Sequence, residues 1–411
     1  MSMTAAGGQQ ADTASPPNYP FAREPKCPFD PPVGVRHEDQ MPKEVSLWDG
    51  RTAWLFTRHD HVRTLFADPR VSHDTNSPDY PHESAGFRER AHQGQSFVNQ
   101  DDPEHARGRR MVNAGFVAKR VRAMREPIQT QVDQLIDDML GGPKPVDLVS
   151  AFALPVPSLM ICLLLGVPPG EQGRFQTVVG QLMRQDTPPE TVNKAQGELF
   201  EYLEELIAEK QKTPREDVLS DLATKNVATG QITPREAAII ARLLLSAGHD
   251  TTANMISLST ALLLQHPDQL DELRQSDDPA LMAAAVEELL RYLSIIHNGP
   301  RRFALEDIEL DGHQIKAGDG LILSVDGANR SPELYPAPDN FDIHRPPTQH
   351  LAFGWGPHGC IGQTLARLEL QIALGTLIRR IPTLRLATEV TELDFKHDAI
   401  VYGLHSMPVT W

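Results

Sequence analysis

Phe353-Gly354-Trp355-Gly356-Pro357-His358-Gly359-Cys360-Ile361-Gly362 is the stretch on which the reading of this 411-residue chain turns. It is a glycine-rich loop, and an unbroken helical pattern follows it from Gln363 to Ile381. A cysteine so placed meets unpaired backbone N–H groups and the positive end of a helix. Both lower a thiol pKa and favour the thiolate, the form that binds metal. A buried structural cysteine in a tight turn is the plain alternative. Against it, Phe353, Gly354, Gly356, His358, Cys360 and Gly362 stand at a spacing that chance reproduces poorly. The other two cysteines lack such neighbours. Cys162 lies in the apolar run Leu159–Val167 and reads as core, while Cys27, beside Pro28, is incidental. With no CxxC pair, neither a disulfide framework nor a zinc site is indicated.

A second segment breaks a local rule. Thr233-Pro234-Arg235-Glu236 is a capping box with proline at the first helical position. Nothing stops that helix before His266–Pro267, so Thr233–Gln265 spans about 50 Å. Its middle, IIARLLLSAGHDTTANMISL, is apolar on nearly every face, which places it in the core of a large domain. Yet Gly248, Asp250, Thr251 and Thr252 are poor helix formers at its centre. A rule broken inside a buried helix points to function; a Ser/Thr-rich kink is the alternative. Asp102–Pro103 and Asp278–Pro279 open further helices. Strand signals are short. Ser46–Thr57 carries an Asp49–Gly50 hairpin turn, Arg302–Val325 another at Asp311–Gly312, and the chain is extended after Ile400. The fold class is mainly α with small β-sheets.

A net charge of −16 argues against a nucleic-acid binder. No apolar run reaches the roughly 18 residues that a membrane span needs. The N-terminus has no signal-peptide pattern. Residues 1–25 read as a disordered leader, residues 26–411 as a single domain, and the cytoplasm is the expected location.

Together the cysteine loop and Ala247-Gly248-His249-Asp250-Thr251-Thr252 resemble the cytochrome P450 family, and most closely its soluble actinomycete members. The likeness runs from about Cys27 to Pro408–Trp411 and includes Ala328-Asn329-Arg330. It implies haem b between a long distal helix and the proximal helix after the loop, with Cys360 as the metal ligand. Gly354 and Gly356 would let the loop approach the sulfur, and Phe353 would shield it. Ala247 and Gly248 would leave room for O2, and Asp250 and Thr251 would deliver protons as the catalytic pair. His249 would touch a neighbouring helix. His105, Arg109, Arg302 and His358 would clamp the haem propionates, with Arg301 competing for the place of Arg302. Glu288 and Arg291, one helical turn apart, would brace the loop. The third member of that brace is open, because Asn340 stands where an arginine is common and Arg345 is nearby.

The implied activity is monooxygenation, by hydroxylation or epoxidation, of a mid-sized hydrophobic secondary metabolite or xenobiotic. Electrons would come from NAD(P)H through ferredoxin reductase and ferredoxin, docking on Arg107, Arg110, Lys119 and Arg367 of a monomer. Substrate walls are expected from 81–98, 178–188, Leu244, Leu245, Leu293–Asn298 and Ile400–Tyr402. Two other readings stand. One is a haem-thiolate nitric-oxide reductase using NADH directly; the other is a non-catalytic haem-binding sensor.

Overall fold

The computed structural model describes residues 15–36, 41–91, 96–171, 189–346, 349–397 and 399–411. Helices dominate, and the longest is Pro234–Leu264. Its capping box forms as the sequence predicts. Thr233 Oγ1 accepts from the Glu236 N–H at 3.1 Å, and Glu236 Oε2 accepts from the Thr233 N–H at 2.7 Å. At 31 residues this helix runs about 46 Å. Every residue from Thr252 to Leu263 is buried, because helices Pro155–Leu165, Pro189–Lys212, Pro279–Leu293 and Gln363–Arg380 pack around it. Two hydroxyls of this helix bond back to it. Thr251 donates to Ala247 O at 2.7 Å and Thr260 to Ile256 O at 2.8 Å. His249 crosses to the neighbouring helix, where its Nδ1 lies 2.5 Å from Ser158 Oγ.

The main sheet has five strands. In spatial order they are Lys43–Ser46, Thr52–Phe56, Gly320–Leu323, Arg301–Ala304 and Val71–Ser72. The first two form the expected hairpin, with Gly50 at φ +82° in its turn. Asp311 (φ +50°) and Gly312 (φ +80°) turn a second hairpin, the left-handed pair that a two-residue loop requires. The sheet brings Ser72 opposite Phe303, so His73 and Arg302 become neighbours despite their separation in the chain.

Part of the leader expected through residue 25, from Pro16 to Arg23, contacts the sheet and its neighbours. Tyr19 N donates to Ser46 O and Ser46 N to Pro17 O, and Tyr19 is buried with Val45 and Leu55. Arg23, also buried, lies 3.8 Å from Asp326. One aromatic ring and one paired cation supply the anchoring that composition alone conceals. Among the described residues no helix is long and apolar enough to cross a membrane.

Candidate active site

A cavity of about 420 Å³ lies between the long helix and helix Gln363–Arg380. On one side are Ala247, Gly248, Thr251 and Thr252; on the other are Phe353, Gly354, Cys360 and Gly362. Two segments separated by more than a hundred residues therefore meet across one space. Val98, Pro157, Ile161, Leu244, Ile295 and Ile296 add an apolar lining. Of the expected walls, Leu244 lines this space, Leu245 is buried in the core, and 178–188 lies outside the described residues.

The loop geometry follows from its glycines. Gly354 (φ +66°) and Gly356 (φ +70°) take conformations that favour glycine. A side chain at Gly356 would place its Cβ 2.8 Å from Phe66 O. That glycine therefore lets the loop approach the Phe66–Ala67 backbone. Cys360 N donates to Phe353 O at 2.8 Å, closing the loop. Burial raises the Cys360 pKa, outweighing the backbone N–H groups of Gly362 and Gln363 and the charges of Arg109 and Arg367. Cys162 is pushed up to about 12 by burial alone and is inert.

At the cavity edge five basic side chains converge: His73, His105, Arg109, Arg302 and His358. The rings of His105 and His358 stack at 3.9 Å, and the Nδ1 atoms of His73 and His358 lie 3.5 Å apart. Arg109 Nη2 donates to Gly359 O at 2.6 Å. Burial lowers Arg302 to about 10 and, with Arg302 and His105 nearby, lowers His358 to about 3. His105 Nε2 is buried with no partner among the described residues. The two candidate arginines separate cleanly. Arg302 lines the cavity, whereas Arg301 turns to Pro81 O at 3.0 Å and Glu83 at 3.4 Å. Such a group, two guanidiniums beside three imidazoles with an open nitrogen, fits an apolar ligand edged with carboxylates.

The comparisons with known proteins settle the family. The cytochrome P450 family profile matches residues 50–382. The chain belongs to the cytochrome P450 family. It is 50% identical over 408 residues to cytochrome P450 GfsF of Streptomyces halstedii, covering 98% of each chain. The crystal structure of GfsF superposes with a TM-score of 0.92 at 51% identity, over 96% of this chain and 100% of that one. The chain is also 42% identical over 402 residues to a vitamin D3 dihydroxylase of Streptomyces griseolus, covering 97% and 98% respectively. This P450 is a haem b monooxygenase, and the cavity residues fit that group: a thiol, a small-residue gap opposite it and a basic edge.

The brace beneath the P450 loop is complete. Arg291 donates to both carboxylate oxygens of Glu288, at 2.7 and 2.8 Å. Arg345 supplies the third member, its Nε 3.1 Å from Glu288 Oε1, and Asn340 contributes only its carbonyl, accepting from Arg345 at 2.9 Å. Arg367 is less free than a docking residue should be. Glu287 holds it at 2.6 and 3.0 Å, and its guanidinium lies over the Phe353 ring.

Sequence reasoning missed two titratable cavity residues, His73 and Glu369. His73 reaches the site through strand pairing, which leaves no local trace. Glu369 is a lone carboxyl on the inward face of the proximal helix. Burial pushes it up to about 8 against a hydrogen bond with Thr252.

Proposed function

We propose that this P450 inserts one oxygen atom of O2 into a C–H bond or an alkene of a mid-sized hydrophobic molecule. The substrate class is a secondary metabolite or a xenobiotic, and the work is done in the cytoplasm. The observation that carries the reading is the shared cavity, with Cys360 facing Ala247, Gly248 and Thr251 across an apolar space. A relative bearing the name vitamin D3 dihydroxylase supports a bulky apolar substrate. Haem held by a thiolate supplies the dioxygen-activating chemistry.

The chain's residues then have distinct tasks. Cys360, which lines the cavity, would supply the sulfur that holds the iron. His105, Arg109, Arg302 and His358 would hold the propionates, with the open Nε2 of His105 as one donor. Ala247 and Gly248, which line the cavity, would leave room for O2. Thr251 faces the cavity, and Asp250 stands one residue away to pass protons from bulk water. Val98, Leu244, Ile295 and Ile296 exclude water and orient the substrate. Electrons arrive from NAD(P)H through a reductase and a ferredoxin, docking on the cysteine side near Arg110 and Lys119, both exposed.

Reconstitution with a plant-type ferredoxin and its reductase under 18O2, against a panel of terpenoid and polyketide molecules, tests this. A product carrying one labelled oxygen and dependent on ferredoxin is the expected result. Rapid NADH oxidation driven by nitric oxide without ferredoxin would overturn it in favour of a reductase.

A further inference from the structure

Asp250 does not line the cavity, although Ala247, Gly248, Thr251 and Thr252 do. Its carboxylate is taken up elsewhere. Lys396 Nζ donates to Asp250 Oδ1 at 3.0 Å and to Asn254 Oδ1 at 3.0 Å. Asn254 Nδ2 closes the ring by donating to Asp250 Oδ2 at 3.2 Å. The pair is largely sheltered, with the two side chains 15% and 24% exposed, so it is less screened than a surface ion pair.

Lys396 does not come from the helix that it braces. It follows strand Asp394–Phe395, and its N–H donates to Gly403 O at 2.9 Å, closing a terminal hairpin. A Cβ at Gly403 would fall 2.1 Å from Asn254 Oδ1, so the hairpin seats directly on this polar ring. The returning arm of the hairpin meets the cavity wall. Tyr402 N donates to Ile295 O at 2.8 Å, and Val401 bridges Ile296. Ile295 and Ile296 both line the cavity. One short hairpin thus touches the acid and the substrate wall together.

We propose that Lys396 is a positioning residue for proton delivery: its bonds to Asp250 and Asn254 hold the carboxylate off the cavity, and its hairpin links release of that carboxylate to occupation of the Ile295–Ile296 wall. The inference rests on the Asp250–Thr251 relay proposed above. Each monooxygenation consumes O2, two electrons from ferredoxin and two protons, and yields the oxygenated product and one water. With the carboxylate held, proton entry into the vacant cavity is slow. With Lys396 gone, the carboxylate turns freely, and electrons are spent on hydrogen peroxide with no substrate present.

The test uses the haem-loaded full chain with a plant-type ferredoxin, its reductase and NADPH, without substrate. Asp250→Asn is expected to slow NADPH oxidation by about tenfold or more, as loss of a proton donor does. Lys396→Met is expected to raise NADPH oxidation and peroxide release about threefold, a modest shift of population. Lys396→Arg should restore the parent rate, and Lys396→Met should add nothing in the Asp250→Asn background. A second readout needs no turnover: urea midpoints of the two single variants and the double variant should be non-additive. If Lys396→Met leaves NADPH oxidation unchanged or slower, or if the midpoints simply add, the positioning role is overturned while the relay stands. If Asp250→Asn has no effect, the relay reading itself is overturned. Should Lys396→Met fail to retain haem, Lys396→Gln supplies the same comparison.

Discussion

His105 and His358 stack at a ring-centroid distance of 3.9 Å and an interplanar angle of 23°, one from helix Glu104–Asn113 and the other from the cysteine loop. Asp102 orients His105 through Nδ1 at 3.0 Å. The other nitrogen is thereby left buried and open, an arrangement that costs about 1–3 kcal/mol unless a ligand accepts from it. Stacking, orientation and the open nitrogen make one site from two distant segments.

Haem retention should depend on that site. Arg302→Ala is expected to weaken haem binding by about ten- to a hundredfold, the worth of a hydrogen bond to a charged group. Arg301→Ala should leave it nearly unchanged, because that side chain faces Pro81 and Glu83. Haem transfer to apomyoglobin measures both.

Loss of the sulfur should be decisive. Cys360→Ala is expected to abolish the red-shifted Soret band of the reduced, carbon-monoxide-treated protein. Cys162→Ala should preserve the band, since Cys162 is sealed in the core. A retained band in Cys360→Ala would remove the foundation of the site.

The buried brace predicts a graded stability series. Arg291→Ala leaves the Glu288 carboxylate without its bidentate partner and should cost about 3–5 kcal/mol. Arg345→Ala removes one charged bond to Glu288 and should cost about 1–3 kcal/mol. Urea unfolding followed by circular dichroism gives both values, and equal effects would contradict the geometry.

Glu369 should make stability depend on pH. Its carboxyl is raised from 4.5 to about 8, chiefly by burial. The native state therefore holds the proton more tightly than the unfolded chain does. Its contribution is fully present below about 4.5 and is lost as the pH rises through about 8. Glu369→Gln, which stays neutral, should flatten the fall in melting temperature between pH 5 and 9. A parallel fall in both proteins would show that the carboxyl does not control it.

Local chemistry, written in consecutive residues, was legible before any coordinates. The capping box at Thr233, the turn at Asp311–Gly312, the glycine loop around Cys360 and the interrupted helix at Gly248–Thr252 each follow from spacing and backbone preference, which act over a few residues. Tertiary packing decided the rest. It chose Arg302 over Arg301, because alternate strand residues face opposite ways and only the sheet's position shows which face meets the cavity. It brought His73 to the basic cluster, Arg345 to Glu288 and Lys396 to Asp250, contacts between residues too far apart for any sequence period to link. It also set desolvation at the Cys360 thiol against the backbone N–H groups of Gly362 and Gln363 and the charges of Arg109 and Arg367, a balance that depends on everything around the group.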